Sequence, residues 1–435
     1  MNRGVSRRFA LLALCCWLSF FPIRQAGGGE AASWTRYFGG PGSVVTDVVS
    51  DRHGIWVAGL ITEDGTRPDL WIALLDWSGK VRWQQRLPAR GYQLFPKLVT
   101  GRETVRVIAG TPSPSVPAAD GGSLTASRLW IGTVTPDGRL VGQHTLAPHR
   151  VTVVQAVSPM GDGGVLLAGL AESGADTTSK GWLARLDKDG NLAWQHLMPQ
   201  VSGLSSLSKT GVDQWLIAGS AHENGDTQRP WLAVVDKTGH VRNFWKPEIR
   251  DFSLYDALAT SDALWLAGEW STSRDGARLI RVDRTGEHFH EYPVTGFSVL
   301  RLIAVTPHGL LAGGDGMGDR SPADSESAPG WLRLPQGVHH SGSLQASAVS
   351  PEVRRLRHLP HGELRTWSFR PAAPGGSDQC VLTGAGAIPD RGSWVGCIGP
   401  VAGTPDRKAL QKSLGSAGDR PVSLHEGGGL FGTSQ

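Results

Sequence analysis

Short apolar segments recur along the chain at intervals of about 50 residues, separated by polar residues, glycine and proline. Each segment is four to eight residues long and rich in β-branched and aromatic residues, which favours strands over helices. Six of the segments end in Ala-Gly and a seventh, weaker copy ends in Thr-Gly: "IWVAG" (55–59), "RVIAG" (106–110), "VLLAG" (165–169), "WLIAG" (215–219), "LWLAG" (264–268), "GLLAG" (309–313) and "CVLTG" (380–384). Recurrence at such an interval indicates an internal structural repeat.

A second apolar run follows each of these segments, and in most units it contains a turn of the form Asp-x-x-Gly, as in "LWIALLDWSGKVRWQ" (70–84). The aspartate of such a turn accepts hydrogen bonds from turn N–H groups, and the glycine supplies a positive φ. The pairs are Asp76 and Gly79, Asp187 and Gly190, Asp236 and Gly239, and Asp283 and Gly286. A third short apolar segment precedes each Ala-Gly, so that a unit contains four strands. Seven such units predict an all-β fold, a seven-bladed β-propeller with four antiparallel strands per blade.

The first apolar segment after residue 30, "SWTRYFGG" (33–40), is similar to the last strand of later units, such as "RWQQRLPARG" (82–91). No first, second or third strand precedes it. The seventh unit has the opposite defect, because it ends after its third strand, near Ile398. We therefore expect residues 33–38 to pair with residues 393–398 and to close the ring, which removes two exposed strand edges. The propeller is assigned to residues 33–400.

The repeat resembles that of secreted bacterial β-propeller proteins whose units carry Gly-Gly, then Asp, then Val-Ala-Gly, then W-L-x-x-L-D-x-x-G-x-x-x-W. The first unit carries most of this pattern: Gly39-Gly40, Asp47, Val57-Ala58-Gly59, Trp71, Leu75-Asp76, Gly79 and Trp83. The resemblance covers residues 33–400 and weakens in the second, sixth and seventh units. It implies the fold and carries no particular function, because such repeats are shared by many unrelated proteins.

The N-terminal 28 residues have the features of a signal peptide, since Arg3, Arg7 and Arg8 precede a 13-residue apolar run at 9–21. That run is shorter than the roughly 20 residues that span a bilayer. Residues 1–28 also hold four arginines and no acid, so the formal net charge of +4 falls to 0 without them. A neutral chain has no bulk attraction for nucleic acid. We expect a periplasmic or secreted monomer with no nucleic-acid partner, no membrane insertion after cleavage, and a polar tail at 401–435.

Two cysteines, Cys380 and Cys397, remain in the exported part. An even number of cysteines in an oxidising compartment favours a disulfide bond. Counting inward from both places Thr383 opposite Trp394 on one hairpin, and cross-strand neighbours lie at the separation that a disulfide needs. The sequence therefore predicts an intramolecular disulfide between Cys380 and Cys397.

The usual catalytic and cofactor motifs are missing from the sequence, including G-x-S-x-G, H-E-x-x-H, the phosphate-binding loop and C-x-x-C. The tryptophans recur at corresponding strand positions, which favours packing between blades over a cofactor site. We expect neither a cofactor nor a bound metal ion.

Candidate binding residues lie where the first strand of each blade enters the central channel, a region that we call the channel mouth. The units place Asp47, Lys97, Gln155, Ser206, Asp256 and Arg301 there, with Arg355 or Arg357 in the seventh. A purely structural position would carry similar residues in all units, whereas this one varies in charge, as a binding site on a repetitive scaffold does. Trp270 is an aromatic candidate in a loop on the same face.

Two classes of function fit these residues. The first is a non-enzymatic scaffold that binds a protein partner, a small molecule or a saccharide at the channel mouth. The second is a periplasmic lyase or hydrolase in which Asp47 and Asp256 act as acid and base and Arg301 clamps the substrate. The enzyme requires the two carboxylates and the guanidinium to converge on one ligand atom, and the missing catalytic motifs favour the scaffold.

Overall fold

A computed structural model describes the chain in sixteen segments, which include the repeats and exclude both termini. The predicted signal peptide and the polar tail lie outside the described residues. The described segments are 34–40, 43–62, 69–88, 94–112, 126–147, 151–173, 176–223, 227–270, 276–294, 297–306, 309–316, 329–335, 352–355, 364–369, 381–388 and 392–398.

All of the regular structure in these segments is β-strand. The strands are β1 (Trp34–Phe38), β2 (Val44–Asp51), β3 (Gly54–Ile61), β4 (Asp69–Leu75), β5 (Val81–Arg86), β6 (Leu94–Thr100), β7 (Val105–Pro112), β8 (Ala126–Val134), β9 (Leu140–Leu146), β10 (Val151–Pro159), β11 (Val165–Ser173), β12 (Asp176–Leu186), β13 (Leu192–Met198) and β14 (Gly203–Gly211). They continue with β15 (Gln214–Glu223), β16 (Thr227–Asp236), β17 (Val241–Trp245), β18 (Phe252–Ala259), β19 (Ala263–Trp270), β20 (Ala277–Asp283), β21 (Phe289–Pro293), β22 (Phe297–Thr306), β23 (Gly309–Gly316), β24 (Pro329–Pro335), β25 (Glu352–Arg355), β26 (Leu364–Phe369), β27 (Val381–Ile388) and β28 (Gly392–Ile398). The described segments contain no helix of the length and apolar character needed to cross a membrane.

Within the described residues the strands form seven sheets, each with four antiparallel strands. Sheets 1 to 6 each use four strands that follow one another along the chain, from β2–β5 in sheet 1 to β22–β25 in sheet 6. Sheet 7 has the order β26, β27, β28, β1. The predictions of an all-β fold and of four antiparallel strands per unit are confirmed.

The N-terminal strand pairs with the last strand of the seventh unit, as the sequence predicts. Trp34 lies opposite Cys397 and Phe38 lies opposite Ser393. The register predicted for the neighbouring hairpin is wrong by two residues, because Trp394 lies opposite Ala385 and Cys397 lies opposite Leu382. The count fails at its starting point, because the residue opposite Cys397 is Leu382 and not Cys380. Cys380 lies outside the described residues, so the disulfide stays a prediction.

The boundary between the sixth and seventh units also differs from the sequence prediction. Arg355 belongs to β25, which pairs with β24 as the outer strand of sheet 6. The first strand of sheet 7 is β26, nine residues later in the chain. Arg355 therefore does not lie on the first strand of a blade, and Arg357 lies outside the described residues. The Ala-Gly pattern marks only second strands, so it cannot locate a first strand across a long interval.

The hydrophobic core lies between neighbouring sheets rather than at one centre. One cluster joins Phe38 and Val395 of sheet 7 to Val57 and Trp71 of sheet 1. Equivalent clusters join sheets 1 and 2, 2 and 3, 3 and 4, 4 and 5, and 5 and 6. Sheets 1 to 5 thus bury both of their faces, and their second strands are continuous apolar runs for that reason.

Within the described residues, a repeated contact joins the outer strand of one sheet to a turn of the next in five pairs of neighbouring sheets, from sheets 7 and 1 to sheets 4 and 5. The indole Nε1 of Trp83 in sheet 1 donates to the carbonyl of Pro136, 2.8 Å away, in the β8–β9 turn of sheet 2. The ring also packs on Gly138, whose φ is +88°. The same contact joins Trp34 to the turn at Gly79, His144 to Gly190, Trp194 to Gly239, and Trp245 to Gly286. We call this pair of groups the ring–glycine latch. The prediction that the tryptophans pack between sheets is confirmed for these residues.

The Asp-x-x-Gly turns have the predicted structure. In the β4–β5 turn, Asp76 Oδ1 accepts hydrogen bonds from the backbone N–H groups of Ser78 and Lys80, at 2.9 and 3.0 Å. Gly79 adopts a φ of +79°, and Gly190, Gly239 and Gly286 adopt 82–89°. Burial opposes ionisation of Asp283, but hydrogen bonds from Thr285, His288 and the turn amides outweigh it and lower its pKa to about 2.

Replacing Gly79 with alanine is expected to destabilise the protein more than replacing Gly163. Both glycines have a positive φ, +79° and +84°, so both variants carry the left-handed backbone cost of about 1–2 kcal/mol. A Cβ at Gly79 would lie 2.4 Å from the Trp34 ring, whereas one at Gly163 would lie 3.5 Å from its nearest neighbour. The overpacking at Gly79 adds about 1–3 kcal/mol, measured by denaturant unfolding. Equal losses in the two variants would show that the latch contributes nothing.

Candidate functional site

The first strands of the sheets carry a β-bulge near the channel mouth, and the bulge decides which side chains are equivalent. Asp47, Ser206 and Asp256 lie directly after it, opposite the alanine of the Ala-Gly segment in their own sheet. The sequence alignment is correct for these three positions. In sheet 3 the residue opposite that alanine is Ala156, and Gln155 occupies the bulge.

Two further positions differ from the sequence alignment. Lys97 lies opposite Ile108, the residue before the alanine. Arg301 lies in the bulge of β22, and the residue opposite Ala312 is Ile303. A bulge inserts one residue into a strand. Counting residues back from the Ala-Gly segment therefore assigns the wrong first-strand residue in each sheet whose bulge lies at a different position.

Asp47 connects the first strands of sheets 1 and 2. Its Oδ1 accepts a hydrogen bond from the backbone N–H of Val48 at 3.0 Å, and its Oδ2 accepts one from Leu98 in β6 at 2.7 Å. The side chain is buried. The first strand of a sheet is an edge strand, whose outward N–H groups need partners. The carboxylate supplies an acceptor to two of them.

Asp256 plays the same part between sheets 5 and 6. Its Oδ1 accepts from Ala257 N–H at 2.9 Å, and its Oδ2 accepts from Ile303 N–H in β22 at 2.9 Å. The hydroxyl of Ser206 in sheet 4 also donates to Oδ1, at 2.6 Å. Burial raises the pKa of Asp256 to about 6, although these hydrogen bonds and the charge of Lys97 act in the opposite direction.

Lys97 and Gln155 differ from the aspartates in having no such partners. Both side chains are half-buried on the first strands of sheets 2 and 3. Neither makes a hydrogen bond to any residue that the structure describes. The charge of Lys97 nevertheless acts on Asp256, which belongs to sheet 5.

Arg301 belongs to a cluster between sheets 5 and 6. Its Nε donates to Asp315 Oδ2 at 2.8 Å, and its guanidinium lies over the Tyr255 ring, 5.1 Å from the centroid. The Tyr255 hydroxyl donates to Glu269 Oε1 at 2.7 Å. Burial, followed by the contact with Glu269, raises the pKa of Tyr255 to about 12. The cluster thus holds a cation against an aromatic face and two carboxylates.

Sequence reasoning missed Glu269 and Asp315 as members of this cluster. Asp315 is one of several acidic residues in the segment after the sixth Ala-Gly, and such an acidic segment predicts a solvated loop. The structure places it at the end of β23 with 4% of its surface exposed. The sequence did contain a signal for burial. Asp315 and Glu269 lie within two residues of an Ala-Gly segment, where the second strand is still buried.

Trp270 packs within sheet 5. Its ring lies edge-on to the buried Phe252, with the ring centroids 5.6 Å apart. The indole is half-buried against the cluster between sheets 4 and 5. Trp270 therefore packs against the core between sheets 4 and 5 at the end of β19.

The side chains of the predicted acid, base and clamp each bond to neighbouring strands. Asp47 bonds to sheet 2, Asp256 bonds to sheets 4 and 6, and Arg301 bonds to Asp315. Among the residues that the structure describes, no group of three or more His, Cys, Asp or Glu side chains is placed to hold a metal ion.

Replacing Arg301 with methionine is expected to cost about 2–3 kcal/mol of unfolding free energy, because the buried Asp315 loses its cation. Arg86→Met is the matched control, since Arg86 pairs with Asp69 on the surface and such pairs contribute about 0–1 kcal/mol. Adding Asp315→Asn to Arg301→Met should recover part of the loss. Urea unfolding measures all three variants, and an Arg301 loss no larger than that of Arg86 would contradict the assignment.

Comparison with known proteins bears on the fold. No protein-family model matches the chain, and no curated protein sequence matches it significantly. Among solved structures, the chain is similar to the β-propeller domain of the Trilobed protease from Pyrococcus furiosus, with a TM-score of 0.50 and 7% identity over 85% of this chain and 99% of that one.

Two further structures are similar at lower scores. Hydrazine synthase from Kuenenia stuttgartiensis has a TM-score of 0.49 and 10% identity, over 80% of this chain and 94% of that one. Puromycin hydrolase has a TM-score of 0.48 and 16% identity. The match covers 79% of this chain and 50% of that protein. At these identities the likeness to the Pyrococcus domain shows the fold alone: the chain has the fold of a β-propeller.

Proposed function

We propose that this chain is an exported β-propeller whose seven sheets close into one ring, and that it binds a small ligand or a protein partner at the channel mouth without chemistry of its own. The observation that carries the binding site is the pair Lys97 and Gln155. Both are half-buried polar side chains on channel-lining strands, and neither hydrogen-bonds to a described residue. Polar groups in such positions take their partners from water or from a ligand.

The closed ring is supported by the contacts between first strands. Each first strand contacts the first strand of the next sheet, in the order β2, β6, β10, β14, β18, β22, β26, and β26 contacts β2. The latch between Trp34 and the turn at Gly79 gives sheets 7 and 1 the same outer contact as other neighbours. In a ring of this kind Lys97, Gln155, Asp256 and Arg301 surround one opening.

The non-enzymatic part of the proposal is supported by the partners of Asp47 and Asp256. Each carboxylate accepts hydrogen bonds from backbone amides of two neighbouring strands. A general acid or base must instead reach the proton that it transfers. Arg301, the third residue of the enzyme hypothesis, is paired with Asp315.

Export and the disulfide belong to the same proposal. The basic, apolar N-terminal 28 residues support export, and an oxidising compartment favours a bond between Cys380 and Cys397. Alkylation of the folded, exported protein followed by mass spectrometry is expected to leave both cysteines unlabelled until a reductant is added. Labelling of both without reductant would contradict the bond.

The binding function is tested with four small probes: glucose, glucuronate, succinate and putrescine. Saturation-transfer NMR is expected to detect at least one of them on the wild-type protein. The double variant Lys97→Met/Gln155→Leu should weaken that binding about tenfold or more, because it removes an ion partner and a hydrogen-bonding amide.

The matched control is Lys80→Met/Gln84→Leu, which changes the same residue types on exposed positions of sheet 1. Binding should survive in the control. Binding that is lost equally in both variants, or in neither, would place the site elsewhere. The same samples report turnover, and conversion of a bound probe to product would overturn the non-enzymatic part of the proposal.

A further inference from the structure

Asp256 is the point at which three sheets meet through hydrogen bonds. Its carboxylate accepts from Ser206 Oγ of sheet 4, from Ala257 N–H of its own sheet 5, and from Ile303 N–H of sheet 6. Asp47, at the equivalent position in sheet 1, accepts from the backbone N–H groups of Val48 and Leu98. The Ser206 hydroxyl adds a side-chain donor to the two backbone amides at Asp256.

The Ser206 hydroxyl has a choice of acceptors. Its oxygen lies 2.6 Å from Asp256 Oδ1 and 3.2 Å from the carbonyl oxygen of Ala257. The same oxygen accepts a hydrogen bond from Ala257 N–H at 3.1 Å. A hydroxyl carries one donor and two acceptor positions. Ser206 can therefore donate to Asp256 while the carboxyl group is ionised, or donate to the Ala257 carbonyl and accept from Asp256.

From this geometry we infer that Asp256 and Ser206 form a clasp between sheets 4, 5 and 6 whose hydrogen bond reverses its direction when Asp256 binds a proton. When Asp256 binds a proton on Oδ1, that proton is donated to Ser206 Oγ and the Ser206 hydroxyl rotates to the Ala257 carbonyl. Oδ2 still accepts from Ile303, and Ala257 N–H still donates to Ser206. All of the groups keep a partner, so the clasp stays closed in both protonation states.

The electrostatic surroundings set the pH range of this exchange. Burial raises the pKa of Asp256 to about 6, against the ordinary value of 3.8. The charge of Lys97 opposes that rise. Among the charged groups on the strands packed against β18, Arg229 pairs with Glu248, Arg301 pairs with Asp315, and Glu269 accepts from Tyr255. Ser206 and the Ile303 amide, which contact the carboxylate directly, do not titrate.

The sign of the pH dependence follows from the raised pKa. The folded protein binds the proton more tightly than the unfolded chain, so the folding equilibrium constant increases as the pH falls from about 6 towards 4. The change amounts to roughly 50-fold between pH 7 and pH 4, the factor expected for a pKa of about 6 against 3.8. Other carboxylates, such as Asp283, act in the opposite direction below pH 4.

The test is the pair of identical substitutions Asp256→Asn and Asp47→Asn. An asparagine at 256 reproduces the protonated state, since its Nδ2 donates to Ser206 Oγ and its Oδ1 accepts from Ile303. An asparagine at 47 turns its Nδ2 toward one of the two backbone N–H donors. Urea unfolding of the full exported chain at pH 4, 5, 6, 7 and 8 compares both variants with the wild-type protein.

The expected result is that Asp256→Asn folds as stably as the wild type or more so at pH 7, and that the wild-type to variant ratio of folding constants rises roughly 50-fold by pH 4. Asp47→Asn should be at least tenfold less stable at pH 7. A ratio for Asp256→Asn that stays constant over this range would overturn the inference. So would a loss at pH 7 as large as that of Asp47→Asn, because the amide would then not fit the clasp.

Discussion

The ring–glycine latch is the contact on which the arrangement of the sheets depends. An outer-strand ring occupies the space above a turn glycine of the neighbouring sheet and, in each case, bonds to a carbonyl of that turn. The glycine has two requirements at once, a positive φ and the absence of a Cβ. Because ring and glycine belong to different sheets, no sheet can complete this packing alone. The fold is stable only as a set of neighbours, as in other repeat proteins.

The latch also explains why the fold could be predicted from the sequence. The turn with its positive-φ glycine and the ring that follows that glycine are the two halves of one repeated interface, so both recur. The ring lies four positions after the glycine at Trp83 and Trp194, and six positions after it at His144 and Trp245. The apolar Ala-Gly segments recur because second strands are buried on both faces. The missing fourth strand of the last unit was visible as an extra strand at the beginning of the chain. These are local patterns, and local patterns survive in a single sequence.

The channel mouth was predicted less well, because its geometry depends on bulges and on contacts between distant residues. The bulge moves by a residue or more between sheets, so Gln155, Lys97 and Arg301 do not share the position of Asp47. Charge variation at this position suggested a binding site, but Asp47 and Asp256 bond to strand-edge amides. The partner of Asp47 lies 51 residues away along the chain and that of Asp256 lies 47 residues away, beyond the reach of any sequence pattern. Lys97 and Gln155, which form no hydrogen bond with a described residue, remain as candidates for contact with a ligand.

The pairing of β1 with β28 has a consequence for the order of events during synthesis. A ribosome makes β1 first, yet its partner strand ends only at Ile398. Until then Trp34 has no strand beside it, and both edges of β1 can pair with other chains. Among the strand pairs of the described residues, joining these two closes the longest loop, from Trp34 to Cys397. Contacts of such separation form late. From the synthesis of β1 until the synthesis of β28, the nascent chain therefore contains an unpaired first strand. During this interval β1 is most exposed to pairing with the wrong strand.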